Sequence, residues 1–119
     1  MPEAIKIARK FAQFTEQWQP KRIATVNDYD VRIAKIEGEF VWHAHDETDE
    51  MFLVVKGEMK ILLRDGEVHL QEGDIYVVPR GVEHKPVADS ECQILLIEPT
   101  GVVNTGTTGG ERTATVEAL

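Results

Sequence analysis

The chain has 119 residues, of which 42% are hydrophobic and 29% charged, and its formal net charge is -8. This length and composition predict one globular domain with a real core. The negative balance argues against nucleic acid and anionic membranes as partners, because both require a positively charged face. No apolar run approaches the ~20 residues of a membrane span or forms a signal peptide, so we expect a cytoplasmic protein. The single cysteine, Cys92, lies beside an apolar run and is predicted to be a buried thiol.

Residues 1–21 are predicted to form a short helix or an extended arm. Apolar residues within Ala4–Gln17 recur at helical spacing, and Pro20 stops whatever precedes it. Such a short helix requires tertiary packing to be stable. The N-terminal segment is therefore expected to lie against the rest of the domain.

From Arg22 onward the pattern changes to short strands separated by turn signals such as Asp65-Gly66 and Pro79–Gly81. The predicted strands are Arg22–Val26, Tyr29–Glu37, Phe40–His45, Glu50–Lys56, Glu58–Arg64, Glu67–Leu70, Asp74–Val78 and Cys92–Glu98. Eight strands at this spacing predict an all-β sandwich or barrel over residues 22–99. Residues 100–119 are rich in Thr and Gly and are predicted to form an irregular tail.

Four polar side chains in two segments have the types and spacing of a metal site. His43 and His45 lie two residues apart, so on a strand they project from one face. Glu50 follows across a polar connection, and His84 comes just after the Pro79–Gly81 turn. Imidazoles and a carboxylate together suit Fe, Mn, Co, Ni, Cu or Zn. Spacing alone leaves open the alternative of surface or hydrogen-bonded core histidines. His69 has no such neighbour and is predicted to face solvent.

The two segments resemble the two motifs of the cupin superfamily. The first motif, G-x5-H-x-H-x(3,4)-E-x6-G, is similar to Gly38–Gly57, which has one residue fewer after its first glycine. The second motif, G-x5-P-x-G-x2-H-x3-N, is similar to the stretch from Gly73 onward, in which Ala88 stands where the asparagine is expected. The resemblance covers about residues 22–99. It implies a double-stranded β-helix, that is, a jelly-roll barrel.

The resemblance also implies a function. His43, His45, Glu50 and His84 would coordinate a divalent transition metal (Fe, Mn, Ni, Zn, Co or Cu), and the ligand or substrate would be a small organic molecule. Dioxygenase, isomerase or cyclase, and lyase chemistry fit the same ligand set. The alternative is a non-catalytic protein that binds a sugar or aromatic metabolite in a metal-dependent way. Within the superfamily, the chain is similar to mannose-6-phosphate isomerase-like cupins and to polyketide-associated small cupins. Small cupins are often dimers, so a homodimer is expected.

Other side chains near the motifs have two interpretations. Glu83 and Tyr76 are candidate catalytic residues for proton transfer, with a solvated carboxylate and a core phenol as the alternatives. Strand alternation predicts that Phe40 and Trp42 lie on the outer face, where the N-terminal segment or a second subunit must cover them. The strand that begins at Glu50 is apolar, so we expect a mostly apolar barrel interior around the site.

Overall fold

The computed structural model describes residues 2–119, which form one short helix and eight strands. The elements are α1 (Ile7–Phe11), β1 (Lys21–Val26), β2 (Tyr29–Glu39), β3 (Glu50–Lys56), β4 (Glu58–Leu63), β5 (Gly66–Gln71), β6 (Ile75–Val78), β7 (His84–Pro99) and β8 (Glu117–Ala118). The strands follow the order β5-β4-β7-β2-β1-β8, and β3 joins β6 to β7. This arrangement confirms the predicted all-β barrel. Within residues 2–119, no helix is long and apolar enough to cross a membrane.

Strand β7 is central because it pairs with three other strands. Its first residues pair with β4, and its second half lies between β2 and β3. Ile97, for example, is opposite Val31 of β2 and Met51 of β3. Strand β7 therefore contributes side chains to both ends of the barrel.

Two apolar clusters hold the fold together. The inner cluster fills the barrel with side chains such as Phe52, Val54 and Ile61, as expected from the alternation of β3 and β4. The outer cluster packs Phe11 and Phe14 of the N-terminal segment onto the opposite face of the sheet. Burial of apolar area on both faces explains why the interior of β3 and the second half of β7 are mostly apolar.

The N-terminal helix is shorter than predicted. Only Ile7–Phe11 is helical, rather than Ala4–Gln17, and no side chain caps its first turn. A helix this short is marginal on its own, so packing of Phe11 determines where it forms. Trp18 follows with a φ of 62° and stacks on Phe40 with ring centroids 4.9 Å apart, so the N-terminal segment also packs against the inner cluster.

The prediction of a strand over Phe40–His45 is wrong. Strand β2 ends at Glu39, after a register shift near Gly38, which has a φ of 85°. The segment that follows has a single isolated bridge, between His43 and His84. Without a continuous ladder, side chains need not alternate, and Phe40 is buried in the inner cluster instead of lying on the outer face.

The C-terminal half also differs from the prediction. Strand β7 begins at His84 rather than Cys92, because backbone pairing with β4 continues through a polar stretch that contains Pro86. The tail is irregular except for β8, which pairs in parallel with β1. Cys92 is fully buried as predicted, and burial raises the pKa of its thiol to about 11, so the thiol is inert at neutral pH.

Candidate metal centre

The structure brings together the four side chains singled out in the sequence. One ligand atom from each of His43, His45, Glu50 and His84 lies within 4.8 Å of the others. All four residues are buried, with exposed fractions between 0% and 7%. Four buried polar groups at this separation form a compact set of nitrogen and oxygen donors.

Backbone hydrogen bonds explain why residues from separate segments converge. His43 and His84 exchange two N–H···O bonds, of 3.0 and 2.9 Å, which place their ring centroids 4.2 Å apart. The Gly81 N–H donates to the His45 carbonyl at 2.8 Å. The turn of the second motif therefore fixes the backbone of the first. Glu50 reaches the same point from the start of β3.

Hydrogen bonds also fix the orientation of two of the imidazoles. His43 Nδ1 lies 2.9 Å from the carbonyl of Val41, and His84 Nδ1 lies 3.0 Å from the carbonyl of Val82. Since a carbonyl can only accept, each Nδ1 carries the proton and each Nε2 keeps a free lone pair. This arrangement is the one that metal-ligating histidines use.

The Glu50 carboxylate is the single negative ligand candidate. Its Oε1 lies 3.3 Å from both His45 Nε2 and His84 Nε2. Burial alone would raise the pKa of Glu50, but the close polar contacts with His45, His84 and Glu98 outweigh burial and hold that pKa well below its usual range. His45 Nε2 is buried and meets no hydrogen-bond geometry among residues 2–119. An ionised carboxylate beside an unsatisfied imidazole nitrogen fits a bound cation.

Three charged residues near this cluster were missed by the sequence analysis. Asp30, Arg32 and Glu98 are each about 1% exposed. The Arg32 guanidinium pairs with both carboxylates, at 2.9 Å from Asp30 Oδ2 and in direct contact with Glu98 Oε1. A usable signal existed: Asp30 and Arg32 alternate in phase with Ala34, which points into the barrel.

The other sequence candidates lie outside the four-residue cluster. Glu83 is 56% exposed and approaches Arg64 at 3.4 Å. Tyr76 is half-buried, packs against the inner cluster and pairs across the sheet with Phe52. Trp42 is half-buried beneath the Arg64 guanidinium, whose carbon lies 3.8 Å from the ring centroid. His69 is exposed, which confirms its predicted solvent-facing position.

A small cavity of about 40 Å³ borders His43 inside the barrel. Its walls are mostly apolar and include Trp18, Phe40 and Phe52, and its polar lining residues are His43 and Asn104. Cavities that admit benzene are roughly 150 Å³. The cavity is therefore much smaller than one that holds a benzene ring.

Residues 102–114 cross over the segment that carries His43 and His45, and we call them the C-terminal strap. The Thr108 hydroxyl donates to the Trp42 carbonyl at 3.0 Å, and the Thr107 N–H approaches the Ala44 carbonyl at 3.4 Å. Asn104 holds the strap in shape through the Arg112 carbonyl and the Ala114 N–H. The strap thus supports a histidine-bearing segment that lacks a strand ladder of its own.

Gly106 provides a direct test of this support. Its φ is +56°, and a Cβ added there would lie 2.0 Å from the Ala44 carbonyl oxygen. Gly109 also has a positive φ, +69°, but an added Cβ would meet nothing within 4 Å. Both alanine variants carry similar backbone strain, and only Gly106→Ala adds an overpacking cost, typically about 1–3 kcal/mol. We expect Gly106→Ala to lower the free energy of unfolding in urea by about 2 kcal/mol more than Gly109→Ala. Equal losses would show that the strap does not press on this segment.

The fold and the site together define a class of protein: a β-barrel whose inner wall carries a candidate metal centre of three histidines and one glutamate. Comparison with known proteins identifies the particular family. The family model for the cupin domain matches residues 29–98, and the chain belongs to the cupin superfamily.

Three individual proteins show what the chain is similar to. The crystal structure of a cupin-2 domain protein from Shewanella frigidimarina is 50% identical, with a TM-score of 0.79, over 80% of this chain and 93% of that one. The Bacillus subtilis protein YdbB is 36% identical over 83 residues, which cover 69% of this chain and 67% of YdbB. A 59-residue stretch is 39% identical to 3-hydroxyanthranilate 3,4-dioxygenase from Ruegeria pomeroyi, covering 45% of this chain and 33% of that enzyme.

Proposed function

We propose that the chain is a divalent-metal-binding cupin that acts as a metal-dependent enzyme on a small organic molecule. His43, His45, Glu50 and His84 are the proposed ligands. The observation that carries the proposal is the convergence of their four ligand atoms within 4.8 Å in a buried site. The tautomers of His43 and His84 support it, because both rings keep Nε2 free to bind a cation.

The donor set limits the chemistry. Three neutral imidazoles and one carboxylate neutralise only half of the charge of a divalent ion, so an anionic oxygen of the substrate is favoured at the site. Such an ion, when bound, supplies Lewis-acid polarisation of substrate oxygens or, as iron, activation of dioxygen. The apolar surroundings of the cluster strengthen its electrostatic attraction for a bound oxygen atom. Enolates and phenolates are therefore suitable substrate classes.

Among the reactions compatible with this set, we propose oxygenation as the first to test, with isomerase or cyclase chemistry next. Its support is the partial match to a dioxygenase, which covers a third of that enzyme. For proton transfer we retain Tyr76 ahead of Glu83. Tyr76 packs against the inner cluster, whereas the Glu83 carboxylate pairs with Arg64 at the surface.

The proposed function is tested by reconstitution and turnover. Metal-free protein is loaded separately with Fe, Mn, Co, Ni, Cu and Zn, and each form is screened with 3-hydroxyanthranilate, flavonols, diketones and sugar phosphates. Product formation and oxygen uptake are measured. We expect turnover with at least one metal and none without metal. Tight metabolite binding with no turnover under any metal would support the non-catalytic alternative, and failure to bind any of these metals would reject both.

We also propose a homodimer. Strands β3 and β6 present adjacent apolar side chains on their outer face, where Val77 pairs with Met51 and Ile75 pairs with Leu53. Ile75 is 59% exposed and Val77 44% exposed. Contiguous exposed apolar residues beside an unpaired strand edge favour association.

A charge placed in this patch should separate the subunits. At micromolar concentration we expect a dimeric mass by solution scattering for the wild type and a monomeric mass for Val77→Lys. Val26→Lys is the matched control, because Val26 is equally apolar, 59% exposed and lies on β1, away from the patch. A monomeric wild-type protein would contradict the proposal.

A further inference from the structure

A buried row of charges extends from the proposed metal ligands across the barrel wall. Asp30, Arg32 and Glu98 are almost completely inaccessible to solvent. Each buried ion costs several kcal/mol of desolvation, and such networks often contribute little net stability. A row of this kind in a 119-residue chain therefore calls for a role beyond holding the fold together.

Strand pairing places the row beside Glu50. Asp30 is opposite Glu98 in the β2–β7 ladder. In the β3–β7 ladder Met51 is opposite Ile97, so continuing the register by one residue brings Glu50 next to Glu98. Facing side chains of neighbouring strands have Cβ atoms about 4.5–5.5 Å apart. Two carboxyl groups therefore meet at the inner wall, one of them a proposed metal ligand.

The two oxygens of Glu98 have different surroundings. Oε1 contacts Arg32, which is itself anchored by Asp30 and by the Val102 carbonyl at 2.8 Å. Oε2 is buried and has no hydrogen-bond partner that meets geometric criteria within residues 2–119. Because Arg32 holds Oε1, Oε2 is the Glu98 oxygen left to meet the Glu50 carboxylate, and a carboxyl group that donates from this oxygen can hydrogen-bond to Glu50.

We propose that Glu98 is a positioning residue that fixes the Glu50 carboxylate, with Arg32 holding Glu98 in place. The inference rests on the proposed metal-binding function and extends it to the residues that support a ligand. Carboxylates that bind metals are themselves usually hydrogen-bonded, and loss of such support typically costs about 10–100-fold in metal affinity. The Asp30–Arg32 pair then serves to keep Glu98 at a fixed distance from Glu50.

Two conservative substitutions separate positioning from general electrostatics. Glu98→Gln keeps the length of the side chain, and its amide can accept from Arg32 while donating to Glu50. Glu98→Asp keeps the carboxyl group but shortens the reach by one methylene. If Glu98 acts by reach, affinity for Zn²⁺ falls about 10-fold or more in Glu98→Asp and stays within about 3-fold in Glu98→Gln. If only the negative charge of Glu98 mattered, Glu98→Gln would lose Zn²⁺ affinity and Glu98→Asp would keep it.

Thr100→Val serves as a structural control. The Thr100 hydroxyl donates to Asp30 Oδ1 at 2.8 Å, so its loss weakens the far end of the row without touching Glu98. Zn²⁺ affinity is measured by chelator competition, ligand geometry by the visible spectrum of Co²⁺-loaded protein, and stability by thermal unfolding without metal. We expect Thr100→Val to lower stability but to leave the Zn²⁺ affinity and the Co²⁺ spectrum unchanged. Glu98→Asp should change both the Zn²⁺ affinity and the Co²⁺ spectrum.

The outcomes distinguish this inference from the function on which it rests. Wild-type protein that binds Zn²⁺ while Glu98→Asp binds it equally tightly, with the same Co²⁺ spectrum, would overturn the role of Glu98 alone. So would equal loss of affinity in Glu98→Asp and Thr100→Val, because that pattern indicates a general structural effect. Wild-type protein that binds neither metal would overturn the proposed function and this inference with it.

Discussion

Glu50→Ala is expected to lose stoichiometric metal and to bind Zn²⁺ more than ~100-fold more weakly than the wild type. Mutation of a residue that only supports a metal ligand already lowers metal affinity about 10–100-fold, and loss of the ligand itself should lower it further. Glu50 is the only carboxylate in the four-residue cluster. Its removal leaves neutral imidazoles, which bind a divalent ion without charge compensation.

The matched control is Glu47→Ala, an exposed glutamate on the connection that precedes Glu50. Both variants lose one negative charge, and only one loses a proposed ligand. Elemental analysis after dialysis and a Zn²⁺ titration measure the effect. Metal retained at one equivalent in Glu50→Ala would refute the assignment of the site.

Unfolding of the variant can be separated from loss of a ligand. The pKa of Glu50 is held well below its usual range, so its carboxylate stabilises the metal-free fold at neutral pH. The metal-free Glu50→Ala variant is therefore expected to unfold at a lower urea concentration than the metal-free Glu47→Ala protein. Urea denaturation of both metal-free variants at neutral pH shows whether each is folded before Zn²⁺ is added.

The four-residue cluster could be predicted from sequence because its motif spacing fixes residue types, even though the strand predicted over Phe40–His45 does not form. His43 and His45 do not lie on a regular strand. They converge with His84 through two backbone hydrogen bonds and through Gly81, which contacts the His45 carbonyl. Spacing within a motif reflects the final geometry, whereas strand alternation applies only where a ladder exists.

The supporting residues were harder to predict because they depend on pairing between distant segments. Glu98 meets Glu50 and Asp30 only through the registers of β7 with β3 and β2. The strap lacks any periodic pattern, yet Asn104 and Thr105 are buried within it. The strap is held against the barrel by contacts that local sequence does not encode, since Asn104 Nδ2 lies 3.5 Å from the Trp18 carbonyl and the Thr108 hydroxyl donates to the Trp42 carbonyl.

The second large expected effect is a loss of stability of the metal-free protein in mild acid. Burial, and then the neighbouring His84, lowers the pKa of His43 to about 4, from an ordinary value near 6.5. Between these two values the unfolded chain binds a proton that the folded chain excludes. Stability attributable to His43 is therefore complete above about pH 6.5, falls as the pH drops towards 4, and totals about 3 kcal/mol.

Measuring the free energy of unfolding in urea, with a chelator present, from pH 7.5 to 4.5 tests this expectation. Glu98 has a raised pKa and acts in the opposite direction, since its folded form binds a proton more tightly than its unfolded form. That contribution is common to wild type and His43→Gln, so the difference between their pH profiles isolates His43. His69→Gln removes an exposed imidazole and should follow the wild type. If His43→Gln loses stability with falling pH as steeply as the wild type, the acid sensitivity lies elsewhere. A shallower pH profile for this variant alone assigns the acid sensitivity to the buried imidazole of His43, which the barrel keeps neutral.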